Sequence, residues 1–238
     1  MTQSGSPLRT VGVVLAGGSG TRLGGEIPKQ LLEIAGKSVL EHSIAAMEAA
    51  PEIDDVLVVM HPDFLGEAED AVSKGPYRKV SRVLAGGPAR SDTARIAISA
   101  LGREECNVLL HDAVRPLVSP RIIADTVDAL RRYRAVDVAV PSADTILVVD
   151  HGVITDIPSR HRLWRAQTPQ GFRLSVIRKA YELAGQDPDF SATDDCGVVL
   201  KYLPAEPIGV VDGSDENIKI THPLDVLIAD NLLRSHRC

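Results

Sequence analysis

The chain has 238 residues and a formal net charge of −6, with hydrophobic residues making up 44% and charged residues 24% of the sequence. This length allows a large buried core, and the composition excludes disordered and fibrous proteins. The acidic total gives no general attraction to polyanions, which argues against a nucleic-acid partner. No apolar run reaches the roughly 18 to 20 residues that cross a bilayer, and the N-terminal segment has no apolar signal-peptide stretch. We therefore expect a cytoplasmic protein that binds neither nucleic acid nor a membrane.

Strand-like apolar runs alternate with amphipathic helical stretches over the first 140 residues. The runs are VGVVLA (11–16), DVLVVM (55–60), VSRVLA (80–85), CNVLLH (106–111) and AVDVAV (135–140). One helix is predicted after Ser38 as its N-cap, and another after Ser119, with Pro120 in the first turn. Strands that are apolar at nearly every position are covered on both faces. The sequence therefore predicts an α/β fold with a mostly parallel sheet and helices on both of its faces.

Residues 142–162 break this alternation. They contain two β-rich runs, TILVV and VITDI, joined by Asp150-His151-Gly152, which is typical of a hairpin turn. A two-stranded hairpin has little core of its own and is only marginally stable alone. We expect a β-arm at about 142–162 that projects from a single domain spanning residues 1–238 and packs on another subunit.

A glycine-rich loop at residues 16–25 directly follows the first predicted strand. Ligands of a parallel sheet lie at the carboxyl ends of its strands. Glycines let backbone N–H groups approach phosphate oxygens, and Arg22 and Lys29 add positive charge. The spacing matches neither a Walker A loop nor a dinucleotide fingerprint. We interpret the loop as a phosphate cradle, with a plain turn as the alternative.

The segment HDAVRP, residues 111–116, follows another apolar strand. Asp112 is therefore well placed to bind a Mg²⁺ ion that bridges the phosphates of a nucleotide. Arg115 strengthens the interpretation as an anion site. The alternative is an Asp112–Arg115 ion pair that fixes a turn. His111 is expected to be packed or hydrogen-bonded rather than to act as a general base.

Later motifs carry further candidates. AGGPARSDT, residues 85–93, again places glycines, an arginine and hydroxyls at the start of a helix, so its backbone and Thr93 are candidate contacts to a base. A turn with a helix cap is the alternative. Arg160 and Thr168 flank the end of the hairpin and are candidates to hold a small phosphate. Lys219, expected at the end of a strand, can neutralise charge between two reacting phosphates.

The ordered set LAGGSGTR, PKQ, GGPARSDT, HDAVRP, ADT, LWRAQTPQGF, TDD and NIKIT resembles the cytidylyltransferases that make CDP-alditols. The resemblance extends from Val11 to about Leu233. It implies a Rossmann-like nucleotidyltransferase fold, Mg²⁺ as cofactor and a homodimer formed through the arm. The reaction that it implies is transfer of CMP from CTP to an alditol phosphate, with release of pyrophosphate.

The resemblance also implies a role for each matching residue. The catalytic cations would be Arg22, Lys29 and Lys219. CTP would be bound by Ala16, Gly17, Gly18, Gly87 and Thr93. The alditol phosphate would be bound by Asp112, Arg115, Thr145, Arg160 and Thr168. Asp112 would also be the metal ligand, and Thr145 and Arg160 would come from the arm of a neighbouring subunit.

Three positions bear on the acceptor. The branch that uses 2-C-methyl-D-erythritol 4-phosphate usually has P-A-A-G at Leu15-Ala16-Gly17-Gly18, D-A-A-R-P or D-G-A-R-P at DAVRP, and a basic residue shortly after the D-T of Asp144-Thr145. All three differences favour the sister branch, which converts D-ribitol 5-phosphate to CDP-ribitol, with methylerythritol phosphate as the alternative. Two other hypotheses remain: a catalytically silent nucleotide-binding regulatory protein on the same fold, and a nucleotide-sugar pyrophosphorylase that uses another base.

Overall fold

The computed structural model describes residues 8–18 and 28–235. The strands in these ranges are β1 (Thr10–Ala16), β2 (Glu33–Ile34), β3 (Lys37–Ser38), β4 (Asp55–Met60), β5 (Val80–Ala85), β6 (Asn107–Asp112), β7 (Ala135–Pro141), β8 (Val148–Asp150), β9 (Val153–Asp156), β10 (Trp164–Ala166), β11 (Gln170–Arg173) and β12 (Ile208–Asp212). The α-helices are α1 (Val39–Ala49), α2 (Leu65–Lys74), α3 (Arg90–Ala100), α4 (Pro120–Ala129), α5 (Leu174–Ala184), α6 (Asp195–Tyr202) and α7 (Pro223–Ser235).

Eight of the strands form the central sheet. Its order is β10-β7-β11-β6-β1-β4-β5, and β12 pairs with β7. The pairs β1–β4, β1–β6, β4–β5 and β7–β12 are parallel, whereas β10 and β11 run antiparallel to their neighbours. The five predicted strands are all present, with ends that differ by at most one residue. The prediction of a mostly parallel sheet is confirmed.

Both faces of the sheet are covered by helices, because side chains along each strand alternate between two cores. On β1, Val11, Val13 and Leu15 belong to a core that α3, α5 and α6 complete. Val14 and Ala16 point to the opposite core, which contains residues of α1, α2 and α4. A third cluster packs α7 beside the segment that follows β6. The predicted arrangement of helices on both faces is therefore also confirmed.

Local sequence signals start the helices where predicted. Ser38 accepts a hydrogen bond from the Glu41 N–H at 3.2 Å, and the Glu41 carboxylate accepts from the Ser38 N–H at 2.9 Å, which completes a capping box on α1. Ser119 caps α4 and Pro120 occupies its first turn. Within the described residues, no helix has both the length and the hydropathy needed to cross a bilayer.

The predicted hairpin is the antiparallel pair β8–β9, which is a separate two-stranded sheet. His151 and Gly152 form its turn with φ values of 48° and 80°, a conformation that favours glycine at the second position. Most of the arm is exposed, including apolar side chains such as Val149 at 55% and Val153 at 64%. The arm thus carries apolar surface that its own hairpin does not bury.

The prediction that Lys219 ends a strand is wrong. β12 ends at Asp212, and residues 213–222 follow an irregular path. The apolar pattern of this segment is satisfied by packing instead of strand pairing: Ile220 is fully buried in the cluster beside α7, and its N–H donates to the Val114 carbonyl at 2.8 Å. This path brings Lys219 back to the carboxyl end of β6.

Candidate active site

A cavity of about 190 Å³ opens at the carboxyl ends of β1 and β6. These strands are parallel neighbours, with Leu15 opposite Asp112, so their carboxyl ends lie side by side. Its lining includes seven residues that the sequence singled out: Ala16, Gly17, Gly18, Lys29, Thr93, Asp112 and Lys219. Leu15, Gln30, Arg90 and Val114 complete it. The structure thus brings together candidates that are more than 200 residues apart in sequence.

The start of the glycine loop is held by a buried glutamine. The Gln30 side-chain amide donates to the Ala16 carbonyl at 2.8 Å and to the Gly18 carbonyl at 2.5 Å. Gly17 lies directly against Thr93, and a Cβ added at Gly17 would collide with the Thr93 hydroxyl. Glycine is therefore required at position 17 for close approach of the two loops.

Thr93 organises the second glycine segment. Its hydroxyl is 3.0 Å from the Ala89 carbonyl and accepts from the Gly87 N–H at 3.3 Å. The helix that the sequence predicted here is α3, but its N-cap is Ala89, so Thr93 lies within the first turn. Thr93 holds the loop that carries Gly87 beside the cavity, and contacts of both residues with CTP stay a prediction.

A network of charged groups forms the floor of the cavity. The Asp112 carboxylate is 2.9 Å from Arg90 Nε through Oδ1 and 2.8 Å from Lys219 Nζ through Oδ2. Arg90 also reaches Asp195, with 2.8 Å between Nη1 and Oδ2, and the Tyr181 hydroxyl donates to Asp195 Oδ1 at 2.6 Å. These contacts form one continuous network in which Asp112 and Asp195 are buried, Arg90 is partly buried and Lys219 is half-exposed.

The electrostatics of the two aspartates differ. Burial works against ionisation of Asp112, but the charges of Arg90 and Lys219 overcome this effect and hold its pKa well below the usual range. Burial dominates at Asp195 and raises its pKa above the ordinary value, although Arg90 opposes the shift. Asp112 is therefore a fixed negative charge at neutral pH, flanked by two cations that also face the cavity.

Arg115 and Thr168 lie behind this floor and are not among the cavity-lining residues. Arg115 is buried, and its guanidinium donates to the Asn217 carbonyl at 2.7 Å and the Ala166 carbonyl at 3.3 Å. The alternative of an Asp112–Arg115 ion pair is not found, since the ion pairs of Asp112 in the described residues are with Arg90 and Lys219. Binding of the alditol phosphate by Arg115 and Thr168 stays a prediction.

His111 is fully buried and hydrogen-bonded through both ring nitrogens, which confirms the expectation for this residue. Burial lowers its pKa to about 4, so the ring is neutral at pH 7.

The remaining predicted residues lie elsewhere. Thr145 and Arg160 are exposed on the arm segment and do not line the cavity, and Arg160 donates to the Ala143 carbonyl at 3.1 Å. Their delivery to the cavity of a neighbouring subunit stays a prediction. Arg22 lies outside the described residues.

Four residues of the site have no role predicted from the sequence: Gln30, Arg90, Asp195 and Tyr181. Arg90 had a usable signal, because it is a cation at the start of a helix, in a glycine segment at the carboxyl end of a strand. Gln30 stands directly after Lys29 in the quoted PKQ motif. Asp195, at the start of α6, stands in the quoted TDD motif, whereas Tyr181, on the buried face of α5, offered no such signal.

The donors at the cavity limit how Mg²⁺ can be held. The described residues contain no group of three or more His, Cys, Asp or Glu side chains able to hold a metal ion. Asp112 is the carboxylate among the lining residues. Mg²⁺ commonly binds through one or two carboxylates together with substrate phosphates and water. The residues therefore fit a Mg²⁺ ion that arrives with a nucleotide.

Comparison with known proteins identifies the family. A family model described as IspD, 2-C-methyl-D-erythritol 4-phosphate cytidylyltransferase, matches residues 10–235. The chain is 51% identical over 234 residues to the 2-C-methyl-D-erythritol 4-phosphate cytidylyltransferase of Thermobifida fusca, covering 95% of this chain and 94% of that protein. It is 44% identical to the bifunctional ribulose 5-phosphate reductase/CDP-ribitol pyrophosphorylase Bcs1 of Haemophilus influenzae, covering 95% of this chain and 48% of that protein.

Solved structures give the same result. The crystal structure of 4-diphosphocytidyl-2C-methyl-D-erythritol synthase from Anaerococcus prevotii matches with a TM-score of 0.84 at 29% identity, covering 96% of this chain and 100% of the other. The 2-C-methyl-D-erythritol 4-phosphate cytidylyltransferase of Thermus thermophilus matches with a TM-score of 0.75 at 27% identity, covering 95% and 99%. The fold is therefore the Rossmann-like nucleotidyltransferase fold that the sequence predicted. With a family model over nearly the whole chain and a 51% identical relative of similar length, the chain belongs to the IspD family of cytidylyltransferases.

Proposed function

We propose that the protein transfers CMP from CTP to 2-C-methyl-D-erythritol 4-phosphate and releases pyrophosphate. The observation that carries the proposal is the cavity in which residues 16–18 of the glycine loop, Lys29 and the Asp112–Lys219 pair meet at the carboxyl ends of β1 and β6. The choice of acceptor draws on the relatives: proteins named for methylerythritol phosphate include the 51% identical one and another that is 41% identical. These comparisons favour methylerythritol phosphate over the D-ribitol 5-phosphate that the sequence predicted.

The chemistry needs positive charge more than a base. The acceptor phosphate is already anionic at neutral pH, so its oxygen can attack the α-phosphorus of CTP directly while the bond to the bridging oxygen of pyrophosphate breaks. Negative charge then grows on the leaving pyrophosphate, where Lys29 and Arg22 would stabilise it. Lys219 would lie between the two reacting phosphates and reduce their repulsion. In the proposed complex the backbone of residues 16–18 and Gly87 approaches the nucleotide, with Thr93 beside it.

Asp112 is the proposed protein ligand for Mg²⁺, together with nucleotide phosphates and water. Bound there, the metal ion would neutralise triphosphate charge. Each carboxylate oxygen of Asp112 has one partner, Arg90 or Lys219, and keeps a further lone pair that could hold the metal ion. The network then also keeps Asp112 ionised and oriented before ligands arrive.

A homodimer formed through the arm is part of the proposal. The exposed apolar residues of β8 and β9 are not buried by their own hairpin. Burying such surface on a second copy is favourable. Thr145 and Arg160, on the segments that flank the hairpin, would then reach the alditol phosphate in the neighbouring subunit.

A second candidate acceptor is D-ribitol 5-phosphate. Val114 lines the cavity beside Asp112, at a position where the methylerythritol branch usually carries alanine. Leu15, at the proline position of that branch, also lines it. The 44% identical relative named as a CDP-ribitol pyrophosphorylase supports this candidate.

The proposal is tested by measuring pyrophosphate release from CTP with the two alditol phosphates side by side, using UTP, ATP and GTP as nucleotide controls. We expect CTP to be preferred and kcat/KM to be higher with methylerythritol phosphate. A higher kcat/KM with D-ribitol 5-phosphate would refute methylerythritol phosphate as the preferred acceptor and support the second candidate. Absence of turnover with CTP and either acceptor would refute both and leave a nucleotide-binding protein without this activity.

A further inference from the structure

His111 is a fully buried histidine behind Asp112, and neither of its ring nitrogens faces the cavity. Nε2 is 3.1 Å from the Arg115 carbonyl oxygen, and Nδ1 is 3.0 Å from the Thr168 hydroxyl oxygen. A carbonyl can only accept, so the proton lies on Nε2. Both hydrogen-bond partners are uncharged, and full burial disfavours an imidazolium more than the charge of the neighbouring Asp112 favours it. Nδ1 is therefore an acceptor, and the Thr168 hydroxyl donates to it.

The Thr168 hydroxyl oxygen has a second partner. It accepts a hydrogen bond from the main-chain N–H of Asp112 at 3.1 Å. The bonds therefore run in one direction, from Asp112 N–H to the Thr168 hydroxyl, and from that hydroxyl to His111 Nδ1. A hydroxyl has one proton, and this geometry commits it to the ring. On the other side of the ring, Nε2–H donates to the Arg115 carbonyl, and this bond fixes the turn formed by residues 111–115.

The same bonds connect the segment that carries Lys219. The Arg115 guanidinium donates to the Asn217 carbonyl at 2.7 Å, and the Asn217 side-chain amide donates to the Thr168 carbonyl at 2.9 Å. Lys219 follows two residues later and pairs with Asp112. Three segments that are distant in sequence are thus joined around His111, directly behind the floor of the cavity.

We infer that His111 is a positioning residue, which as the neutral Nε2–H tautomer holds the Thr168 hydroxyl as the acceptor for Asp112 N–H and so fixes Asp112 and Lys219 at the cavity. The inference deepens the proposed function and rests on it. It gives Thr168 a role different from the one the sequence predicted: Thr168 acts through Asp112, and its hydroxyl proton is not donated to a substrate phosphate.

A double-mutant cycle tests the inference. Thr168→Val removes the hydroxyl at nearly constant shape, Thr168→Ser keeps it as the matched control, and His111→Leu removes both ring nitrogens. Each of the first and third variants is expected to lower kcat on the order of tenfold, the usual scale for one hydrogen bond, with little change in KM for CTP. The double variant should be no slower than the slower single variant, because both changes break one chain of bonds. Thr168→Ser should stay within about threefold of the original enzyme.

Two results would overturn the inference. One is a double variant whose loss equals the product of the two single losses, since that outcome makes the residues independent. The other is a Thr168→Ser variant as impaired as Thr168→Val. If His111→Leu does not fold, the comparison of Thr168→Val with Thr168→Ser still tests the inference.

The state of the ring separates this inference from the proposed function. ¹⁵N–¹H correlation spectra of the histidine rings at pH 7 should show His111 protonated on Nε2 in the unaltered protein. Loss of the Nδ1 hydrogen-bond signature is expected in Thr168→Val but not in Thr168→Ser. If the protein gives these spectra but does not turn over CTP, the proposed function is refuted and the hydrogen-bond chain stands. If the ring is protonated on Nδ1, the hydrogen-bond chain is refuted, whether or not CTP is turned over.

Discussion

Lys29 and Lys219 bring positive charge to two different positions in the cavity. Lys219 pairs with Asp112, whereas Lys29 lies beside Gln30, the residue that holds the start of the glycine loop. In the proposed reaction Lys29 stabilises charge that appears only as pyrophosphate leaves. Its contribution should therefore fall mainly on kcat rather than on CTP binding.

Replacing Lys29 should separate these two effects. Lys29→Ala is expected to raise the activation barrier by roughly 3 to 4 kcal/mol, the scale of one preorganised donor or cation, while CTP binding changes less. Lys29→Arg keeps the charge and is the matched control. Pyrophosphate release and calorimetric CTP binding give the two quantities, and near-normal turnover by Lys29→Ala would remove Lys29 from the catalytic residues.

The raised pKa of Asp137 predicts that the free energy of unfolding depends on pH. Burial, reinforced by the charge of Asp194, raises its pKa to about 6, although a hydrogen bond from Gln170 opposes the shift. The folded chain thus binds this proton more tightly than the unfolded chain, so the stabilisation is fully present below the unfolded pKa and is lost as pH rises through about 6. Asn at this position is neutral at every pH and can still accept from Gln170.

The free energy of unfolding of Asp137→Asn, measured relative to that of the unaltered protein, should therefore rise by about 2 to 3 kcal/mol as the pH increases from 4 to 7.5. Urea unfolding at the two pH values measures the gain. Asp189→Asn, at an exposed carboxylate, is the control and should show no such gain. Parallel stability curves for Asp137→Asn and the unaltered protein would contradict the assigned burial effect.

At the scale of elements, the helix starts depend on local hydrogen bonds. Ser38→Ala removes the two hydrogen bonds that the Ser38 hydroxyl makes with Glu41 but keeps the bond from the Ser38 N–H to the Glu41 carboxylate, and it should lower the free energy of unfolding by about 1 kcal/mol. Ser38→Thr retains the hydroxyl and should cost less. Urea unfolding compares the two variants, and equal stability of Ser38→Ala and the unaltered protein would show that the cap does not stabilise the folded chain.

The elements that the sequence predicts well are those whose signals are local. Ser38, Ser119 and the His151–Gly152 turn each act within a few residues, so strands, caps and hairpin were correctly placed. Lys219 was misplaced because the pattern around it reflects packing beside α7 rather than strand pairing. Arg90, Asp112 and Asp195 form one network across more than 100 residues, and no local pattern reveals which side chains such a network joins.

At the scale of the whole molecule, the arm is the feature whose apolar side chains a single copy leaves exposed. Deleting residues 146–157 removes the exposed apolar hairpin while leaving the central sheet intact. We expect the full chain to elute as a dimer in gel filtration and the deletion variant as a monomer. A dimer that survives the deletion would refute the role of the arm.

A single substitution tests the same interface without removing the hairpin. Val149 is exposed on β8, and Val149→Asp places a charge in the apolar surface that the proposed dimer buries. This variant should dissociate at a higher protein concentration than the unaltered protein. Val149→Thr keeps a β-branched side chain and is the control. Equal dimer stability in the Asp and Thr variants would place the interface elsewhere.

CMP transfer is tested most directly by following the phosphorus atoms themselves. ³¹P NMR of CTP, 2-C-methyl-D-erythritol 4-phosphate and Mg²⁺ with the enzyme should show the triphosphate and phosphomonoester signals replaced by a diphosphate diester and free pyrophosphate in equal amounts, with Lys29→Ala as the near-inactive reference. Unchanged spectra, or conversion of CTP to CDP and inorganic phosphate without the diester, would contradict the proposed transfer.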